Sequence, residues 1–105
     1  MINEMSNSKQ ELEILVTNKN FCRLRGKFTR EHINAIMPAG EKFITESDSP
    51  HFDFALVTLS DSAGVSLLVH YLAFARNQKK QVSFENLSEA MQSIIKLSGL
   101  ENLIL

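Results

Sequence analysis

The segment His51–Leu59 (HFDFALVTL) constrains the fold most, because it is apolar at nearly every position. A run of this kind is typical of a strand that is buried on both faces in a parallel arrangement. The residues from Ser62 to Gln78 then have the length and composition of a helix, and Gln81–Glu85 (QVSFE) has those of another strand. This order predicts a sheet with helices packed on it.

Two strands and a helix are expected before this segment. Glu11–Thr17 (ELEILVT) and Phe21–Phe28 (FCRLRGKF) are separated by three polar residues, which predicts a hairpin. Apolar residues recur at three- and four-residue steps over Arg30–Ile44, which predicts an amphipathic helix, and Thr29 offers an N-cap hydroxyl. Pro38 lies inside this helix and predicts a kink or a restart.

The C-terminal part predicts one further helix, capped by Ser88 and ended by Gly99, and then a short edge strand over Leu103–Leu105. The fold class is therefore α/β, with a mixed sheet of four to five strands and helices packed on it. Residues 1–10 are polar and aperiodic, and we expect them to be a disordered N-terminal segment. Residues 11–105 are expected to form a single domain.

Charge and composition exclude several classes of protein. Eleven Lys and Arg against twelve Asp and Glu give a formal net charge of -1, so nucleic acid is not an expected partner. Cys22 is the single cysteine, which suits a reducing compartment. No stretch approaches the roughly 18 apolar residues of a membrane span, and the N-terminus lacks a signal-peptide pattern. We expect a cytoplasmic protein with no direct membrane insertion, held by a partner if it lies at the inner-membrane face.

The helix that begins at Ser62 is apolar on two sides. One stripe at helical spacing consists of Val65, Leu68, Val69, Leu72 and Ala75. The other consists of Ala63, Leu67, His70, Tyr71 and Phe74. One stripe must face the sheet. If Leu67, Tyr71 and Phe74 are exposed together, they mark an interface, whereas the alternative is that the first helix covers them as core.

The start of the same helix carries Asp61-Ser62-Ala63-Gly64. Small residues there allow a partner to approach the backbone, and the free amides of a helix N-terminus suit a hydrogen-bond acceptor or a phosphate. Ser62 is therefore a candidate contact and a candidate phosphorylation site. The simpler interpretation is a plain helix cap.

The sequence lacks the residue patterns that catalysis and cofactor binding need. Ser62 and His70 are about 12 Å apart along one helix, and no Gly-x-Ser-x-Gly motif is present. His32, His51 and His70 lie on different elements without metal-ligand spacing, so no metal site is expected. No Gly-rich loop with a following Lys appears, and we expect no cofactor and no catalytic residue.

Residues 52–87 (FDFALVTLSDSAGVSLLVHYLAFARNQKKQVSFENL) resemble the central segment of STAS domains. That segment has an aspartate ending a strand, a short loop, Asp-Ser/Thr-x-Gly opening a helix, and a strand after a basic turn. The segments Gly26–Thr29 and Lys96–Leu100 are similar to further family segments, and the likeness spans about residues 11–105. The family pattern implies that the central strand ends near Phe54 and that Ala55–Ser60 is a loop, an expectation that we adopt over the longer strand.

Two branches of this family differ in function. Anti-anti-sigma factors use the serine of the motif as a phosphorylation switch for binding an anti-sigma factor kinase. MlaB-type proteins are small cytoplasmic subunits of the bacterial ABC transporter that maintains outer-membrane lipid asymmetry, and they bind its ATPase subunit. Leu67–Leu72 and Ala75–Gln78 are similar to the Leu-rich, His-containing helix and basic turn of the MlaB type, and Lys96-Leu97 is similar to its last helix.

The resemblance therefore implies a non-enzymatic subunit that docks on and regulates the ATPase of a phospholipid-transport ABC complex. The alternative that it leaves open is an anti-anti-sigma factor switched by phosphorylation of Ser62. The expected partner-binding residues lie at the start and along one side of the same helix, and they are Asp61, Ser62, Ala63, Gly64, Leu67, His70, Tyr71 and Phe74.

Overall fold

Four strands and four helices lie within residues 11–105, the part of the chain that the computed structural model describes. The disorder expected for residues 1–10 lies outside these described residues. The strands are β1 (Leu12–Asn18), β2 (Phe21–Phe28), β3 (His51–Ser60) and β4 (Ser83–Glu85). The helices are α1 (Arg30–Glu46), α2 (Ser62–Asn77), α3 (Glu89–Leu97) and α4 (Glu101–Ile104).

The strands form a four-stranded mixed sheet in the order β1-β2-β3-β4. β1 and β2 are antiparallel and form the predicted hairpin, with Asn18 opposite Phe21. β2 and β3 are parallel, as are β3 and β4. The predicted α/β class with a mixed sheet is confirmed.

β3 is longer than the family pattern implied. The expected loop over Ala55–Ser60 is wrong, because β2 continues to pair with β3 until Phe28 lies opposite Ser60. Two register shifts interrupt this pairing, and each places one extra residue in β3. β4 pairs with β3 only over His51–Asp53. The nearly continuous apolar run had therefore indicated the extent of the strand correctly, whereas the expected burial on both faces holds only for Phe52–Phe54.

α1 is a single helix that continues through Pro38, so the predicted restart is wrong. Proline removes the amide that would donate to the carbonyl four residues earlier, here that of Asn34. Near this point the hydroxyl of Tyr71, on α2, is shared between two further carbonyls of α1, at 3.1 Å from the oxygen of Ile36 and 3.3 Å from that of Met37. This contact ties α2 to the middle of α1.

Aromatic rings fill the space between the sheet and the two long helices. Phe52 of β3 stacks on Tyr71 at 5.0 Å between ring centroids and meets Phe43 of α1 edge-on at 5.2 Å. Gly40 of α1 makes room for the Tyr71 ring, since a Cβ at that position would lie 2.1 Å from the tyrosine hydroxyl oxygen. The two helices are therefore packed so closely that Tyr71 is not exposed to solvent.

The C-terminal part follows the prediction only at first. Ser88 caps α3 by accepting a hydrogen bond from the amide of Met91 at 3.1 Å, and Gly99 follows the helix with a φ of 73°. The expected edge strand over Leu103–Leu105 is wrong. The amides of this segment donate to Leu100 and Glu101 and form the short helix α4. Among residues 11–105, no helix is both long and apolar enough to cross a membrane.

Candidate functional site

Asp61 joins the starts of both long helices. One carboxylate oxygen accepts from the amide of Gly64 at 3.0 Å, which caps α2. The other accepts at 3.1 Å from the amide of Arg30, the first residue of α1. Thr29 occupies the N-cap position of α1 as predicted, but its side chain makes no capping hydrogen bond. The cap of α1 is therefore supplied by a residue 31 positions later in the chain.

This setting favours the ionised form of Asp61. Desolvation on its own raises the pKa of the carboxyl, but the backbone amides of Arg30, Gly64 and Ala63 and the charge of Arg30 together lower the pKa below its ordinary value. A carboxylate that accepts several amide hydrogen bonds at helix N-termini is stabilised in its charged form. The start of α2 therefore carries a fixed negative charge at neutral pH.

Ser62 is exposed at the first position of α2, with its carbonyl accepting from the hydroxyl of Ser66 at 3.1 Å. Ala63 beside it is half-buried. Gly64 is buried, and a Cβ there would lie 2.3 Å from the carbonyl oxygen of Phe28. This glycine lets α2 lie against the end of β2, and its expected contact with a partner stays a prediction.

The exposure expected for the apolar patch is wrong for two of its three members. Leu67 is 2% exposed and Tyr71 is fully buried, because α1 covers this side of α2. The alternative left open by the sequence, in which the first helix makes this stripe part of the core, is the correct one for these residues. Leu67 and Tyr71 are not available to a partner.

His70 and Phe74 lie further along α2 and remain half-buried. The Nε2 atom of His70 is 2.6 Å from the Oε2 atom of Glu41 on α1, and its ring stacks on Phe74 at 6.2 Å. A helical rise of 1.5 Å per residue puts them about 12 and 18 Å from Ser62 along the axis. They border the contact between the two helices and do not form a cluster with Ser62.

A face of small side chains on α2 was missed by the sequence analysis. Ser62, Ser66 and Ala73 are exposed and Val69 is half-buried, although Val69 belongs to the first of the two apolar stripes predicted for this helix. Their spacing of four, three and four residues places them along one side of the helix. Only this spacing of small residues could have indicated the face.

Leu59, at the end of β3, was missed as well. Its side chain is 55% exposed and borders a cleft of about 480 Å³ between the end of β3 and the start of α1. Thr29 and Asp61 line the same cleft. Because Asp61, the cap of α2, lines the same cleft, Leu59 lies near the start of the small-residue face. We call Leu59, Ser62, Ser66, Val69 and Ala73 the docking face.

The chemistry that this site offers is recognition through an exposed hydroxyl and a helix N-terminus. Cys22 is remote from it, and burial raises the pKa of the thiol to about 12. The buried carboxylate of Asp53 is held by Arg23 at 2.7 Å and Asn86 at 2.8 Å. Within residues 11–105, no group of three His, Cys, Asp or Glu side chains is arranged to hold a metal ion.

Comparison with known proteins matches the chain to a family model and to solved structures that include two forms of one protein. The model of the family described as "Mlab, STAS domain" matches residues 18–105. No curated protein matches the chain. The anti-sigma factor antagonist SpoIIAA in its unphosphorylated form is 15% identical with a TM-score of 0.70, over 90% of this chain and 85% of that one. The phosphorylated form of SpoIIAA, described as a Bacillus cell fate determinant, is 16% identical with a TM-score of 0.66, over 90% and 88%. At this identity the likeness concerns the fold.

Leu67 and Phe74 should differ in their effect on stability. Leu67→Ser removes a buried side chain and places a hydroxyl in the core, so we expect a loss of about 3 kcal/mol or more. Phe74→Ser acts on a half-buried ring and should cost clearly less. Urea denaturation of the two variants followed by circular dichroism measures this difference. Equal losses would contradict the assignment of Leu67 to the core.

Asp61→Ala should destabilise the domain by about 2 kcal/mol near pH 7, since two helix caps of about 1 kcal/mol each are lost. The folded pKa is lowered, so the stabilisation is complete above the ordinary aspartate pKa of about 4 and is lost as the pH falls through the folded value. The difference between the parent and Asp61→Ala should therefore shrink between pH 5 and about pH 3.

Urea denaturation at a series of pH values measures this change. Asp53 titrates in both proteins, so its contribution cancels in the difference. Asp61→Asn is the matched control, because it keeps one acceptor oxygen and cannot ionise, and its stability relative to Asp61→Ala should not vary with pH. A parent-to-alanine difference that is the same at pH 7 and pH 3 would contradict the charged cap.

Proposed function

The chain belongs to the STAS domain family, and on that premise we propose that it is a non-enzymatic subunit that docks on and regulates the ATPase of a phospholipid-transport ABC complex. The observation that carries this proposal is the exposed Ser62, held at the start of α2 by Asp61 and followed on the same side by small residues. The family description "Mlab" supports the choice of partner.

The docking face suits close contact with another protein. Small side chains let a partner approach the helix backbone, and the face extends for about 16 Å from Ser62 to Ala73. Leu59 adds an apolar anchor beside the cleft at the start of α1. Apolar side chains that enter a partner's pocket supply much of the binding energy at such interfaces.

Binding alone is sufficient for the proposed role. Catalysis belongs to the ATPase, and this chain regulates it by favouring the conformation to which the docking face binds more tightly. Ser62 and Ala63 are the contacts nearest the helix start, and Asp61 positions them without needing to touch the partner. His70 and Phe74 would lie at the periphery of the interface. The ATPase would hold the domain at the cytoplasmic face of the membrane, and no cofactor or nucleic acid takes part.

A second candidate function is an anti-anti-sigma factor switched at Ser62, with an anti-sigma factor kinase as its partner. The observation that favours it is the accessible hydroxyl of Ser62 in a fold like that of SpoIIAA. A phosphoryl group there would add nearly two negative charges. The positive end of the α2 dipole would stabilise them, whereas the carboxylate of Asp61 would repel them.

Ser62→Arg should abolish binding of the ATPase and leave the domain folded. A positive charge at an exposed helix start costs the free domain at most about 1 kcal/mol, whereas an unpaired charge buried at an interface costs several. We expect binding to fall by about 100-fold or more, and Ser62→Ala to have a smaller effect. Pull-down of the ATPase, with circular dichroism of each free variant, measures both quantities.

Ser93→Arg is the matched control, because Ser93 is an exposed helical serine on α3, away from the docking face. It should bind the ATPase as the parent does. Undiminished binding by folded Ser62→Arg would remove the start of α2 from the interface, and the proposal would fail with it.

The phosphorylation state of Ser62 separates the two candidate functions. If the protein is a transporter subunit, protein isolated from its native host should carry little phosphate on Ser62, because the docking face must remain able to meet the ATPase. Mass spectrometry of the tryptic peptides measures the occupancy. Stoichiometric phosphate on Ser62 would favour the anti-anti-sigma factor.

A further inference from the structure

A second surface lies at the opposite end of α2. The last turns of this helix, the segment before β4 and the helix α4 enclose a groove of about 540 Å³. The side chains that give it its chemistry are Leu72, Arg76, Lys79, Lys80, Val82 and Leu103. The groove is about 20 Å from Ser62 along the helix axis, so it is separate from the docking face.

Positive charge is concentrated at this groove, although the chain as a whole carries a net charge of -1. Three of the lining residues are cations and none is an acid. Among residues 11–105, none of these cations forms an ion pair with a carboxylate. Lys80 is held by the carbonyls of Ile44 and Thr45 at 2.9 and 2.7 Å, whereas the side chains of Arg76 and Lys79 are exposed.

Lys79 adopts a backbone conformation that favours glycine. Its φ is 61°, and it follows α2 at a position where glycine is the usual residue. Its amide donates to the carbonyl of Arg76 at 2.9 Å, and the amide of Lys80 donates to that of Ala75 at 2.9 Å. The helix end therefore makes its usual hydrogen bonds. The residue in the position that glycine usually takes is a lysine, whose backbone is strained and whose charge lies beside the groove.

The groove also offers hydrogen-bond donors and apolar contact. The amide of Ser83 donates to Pro50 at 2.9 Å, whereas the amides of Gln81 and Val82 have no acceptor within residues 11–105. Leu103 is 42% exposed at the opposite wall. An extended peptide presents backbone carbonyls that can accept from these amides. Its side chains alternate in direction, so that one of them can contact Leu103.

We propose that this groove binds an extended acidic segment of a protein partner. Its carboxylates lie against Arg76 and Lys79, its carbonyls accept from the amides of Gln81 and Val82, and an apolar side chain contacts Leu103. An inorganic anion would use the cations and leave Leu103 without a partner. The charge complementarity and the apolar wall together specify an acidic peptide that also carries large apolar residues. This inference does not rest on the proposed function.

The test is a titration of the isotopically labelled full chain with a capped peptide of alternating glutamate and leucine, followed by amide NMR shifts. We expect shifts at Lys79, Val82 and Leu103, and binding that weakens as salt is added, since exposed charges are screened. A peptide with lysine in place of glutamate should produce none of these shifts. Absence of shifts with the acidic peptide would overturn the proposal.

Reversing the charges of the groove tests which side chains contribute to peptide binding. Arg76→Glu combined with Lys79→Glu should weaken peptide binding at least about tenfold, since two attractive contacts become repulsive. Lys42→Glu combined with Lys96→Glu is the matched control, because both lysines are exposed helical residues outside the groove. Equal weakening in the control would show a general effect of net charge and would overturn the site.

Lys79→Gly separates binding from stability. It removes the backbone strain and the charge together, so the melting temperature should rise while peptide binding falls about threefold. Undiminished binding would exclude Lys79 from the site.

The full chain is also titrated with inorganic phosphate and with vesicles containing an anionic phospholipid. Phosphate shifts as large as those of the peptide, or vesicle binding lost in the charge-reversed variant, would overturn the peptide assignment. Ser62→Arg should bind the peptide normally, whatever its effect on the ATPase.

Discussion

Two helix starts share a single carboxylate, and the position of the candidate site depends on this sharing. β2 and β3 are parallel and end together, with Phe28 opposite Ser60, so the residues that follow them meet at one edge of the sheet. Arg30 begins α1 there, and Asp61 precedes α2. One carboxylate can then accept from the amides of both helices. If β3 had ended near Phe54, Asp61 would have had no strand to hold it beside Arg30.

Burial of α2 on two sides determines which surface remains for a partner. The side carrying Val65 and Leu68 faces the core beneath the helix, and Leu67 and Tyr71 are covered by α1. The face that begins at Ser62 stays largely accessible, and it carries serine, valine and alanine. The groove at Arg76 lies at the other end of the helix. A small domain with this packing can present little apolar area on its helix. A partner of the kind proposed would therefore bind through close approach to the backbone and through the polar helix start.

Local sequence patterns predicted the elements better than their contacts. The apolar run from His51 indicated β3 to nearly its full length, and Ser88 indicated the start of α3, because both signals lie within a few residues. The burial of Tyr71 depends on Gly40, 31 positions earlier, and helical periodicity does not reveal which helix covers a second apolar stripe. The hydrogen bond from the amide of Arg30 to Asp61 also joins residues 31 positions apart in the chain. The strand predicted for the apolar residues at the C-terminus was wrong because a run this short is compatible with either a strand or a helix.

The charges at the two ends of the helix pair follow the same rule with opposite signs. α1 and α2 begin at the same edge of the sheet, so their carbonyl ends also lie near each other, and cations are favoured there. The side chain of Lys80 donates to the carbonyls of Ile44 and Thr45 in the last turn of α1, while its amide donates to Ala75 in the last turn of α2. One lysine thus serves both helix ends, as one aspartate serves both starts. Arg76 and Lys79 add positive charge beyond what this capping needs, and that surplus is what makes the groove beside them suited to an acidic partner.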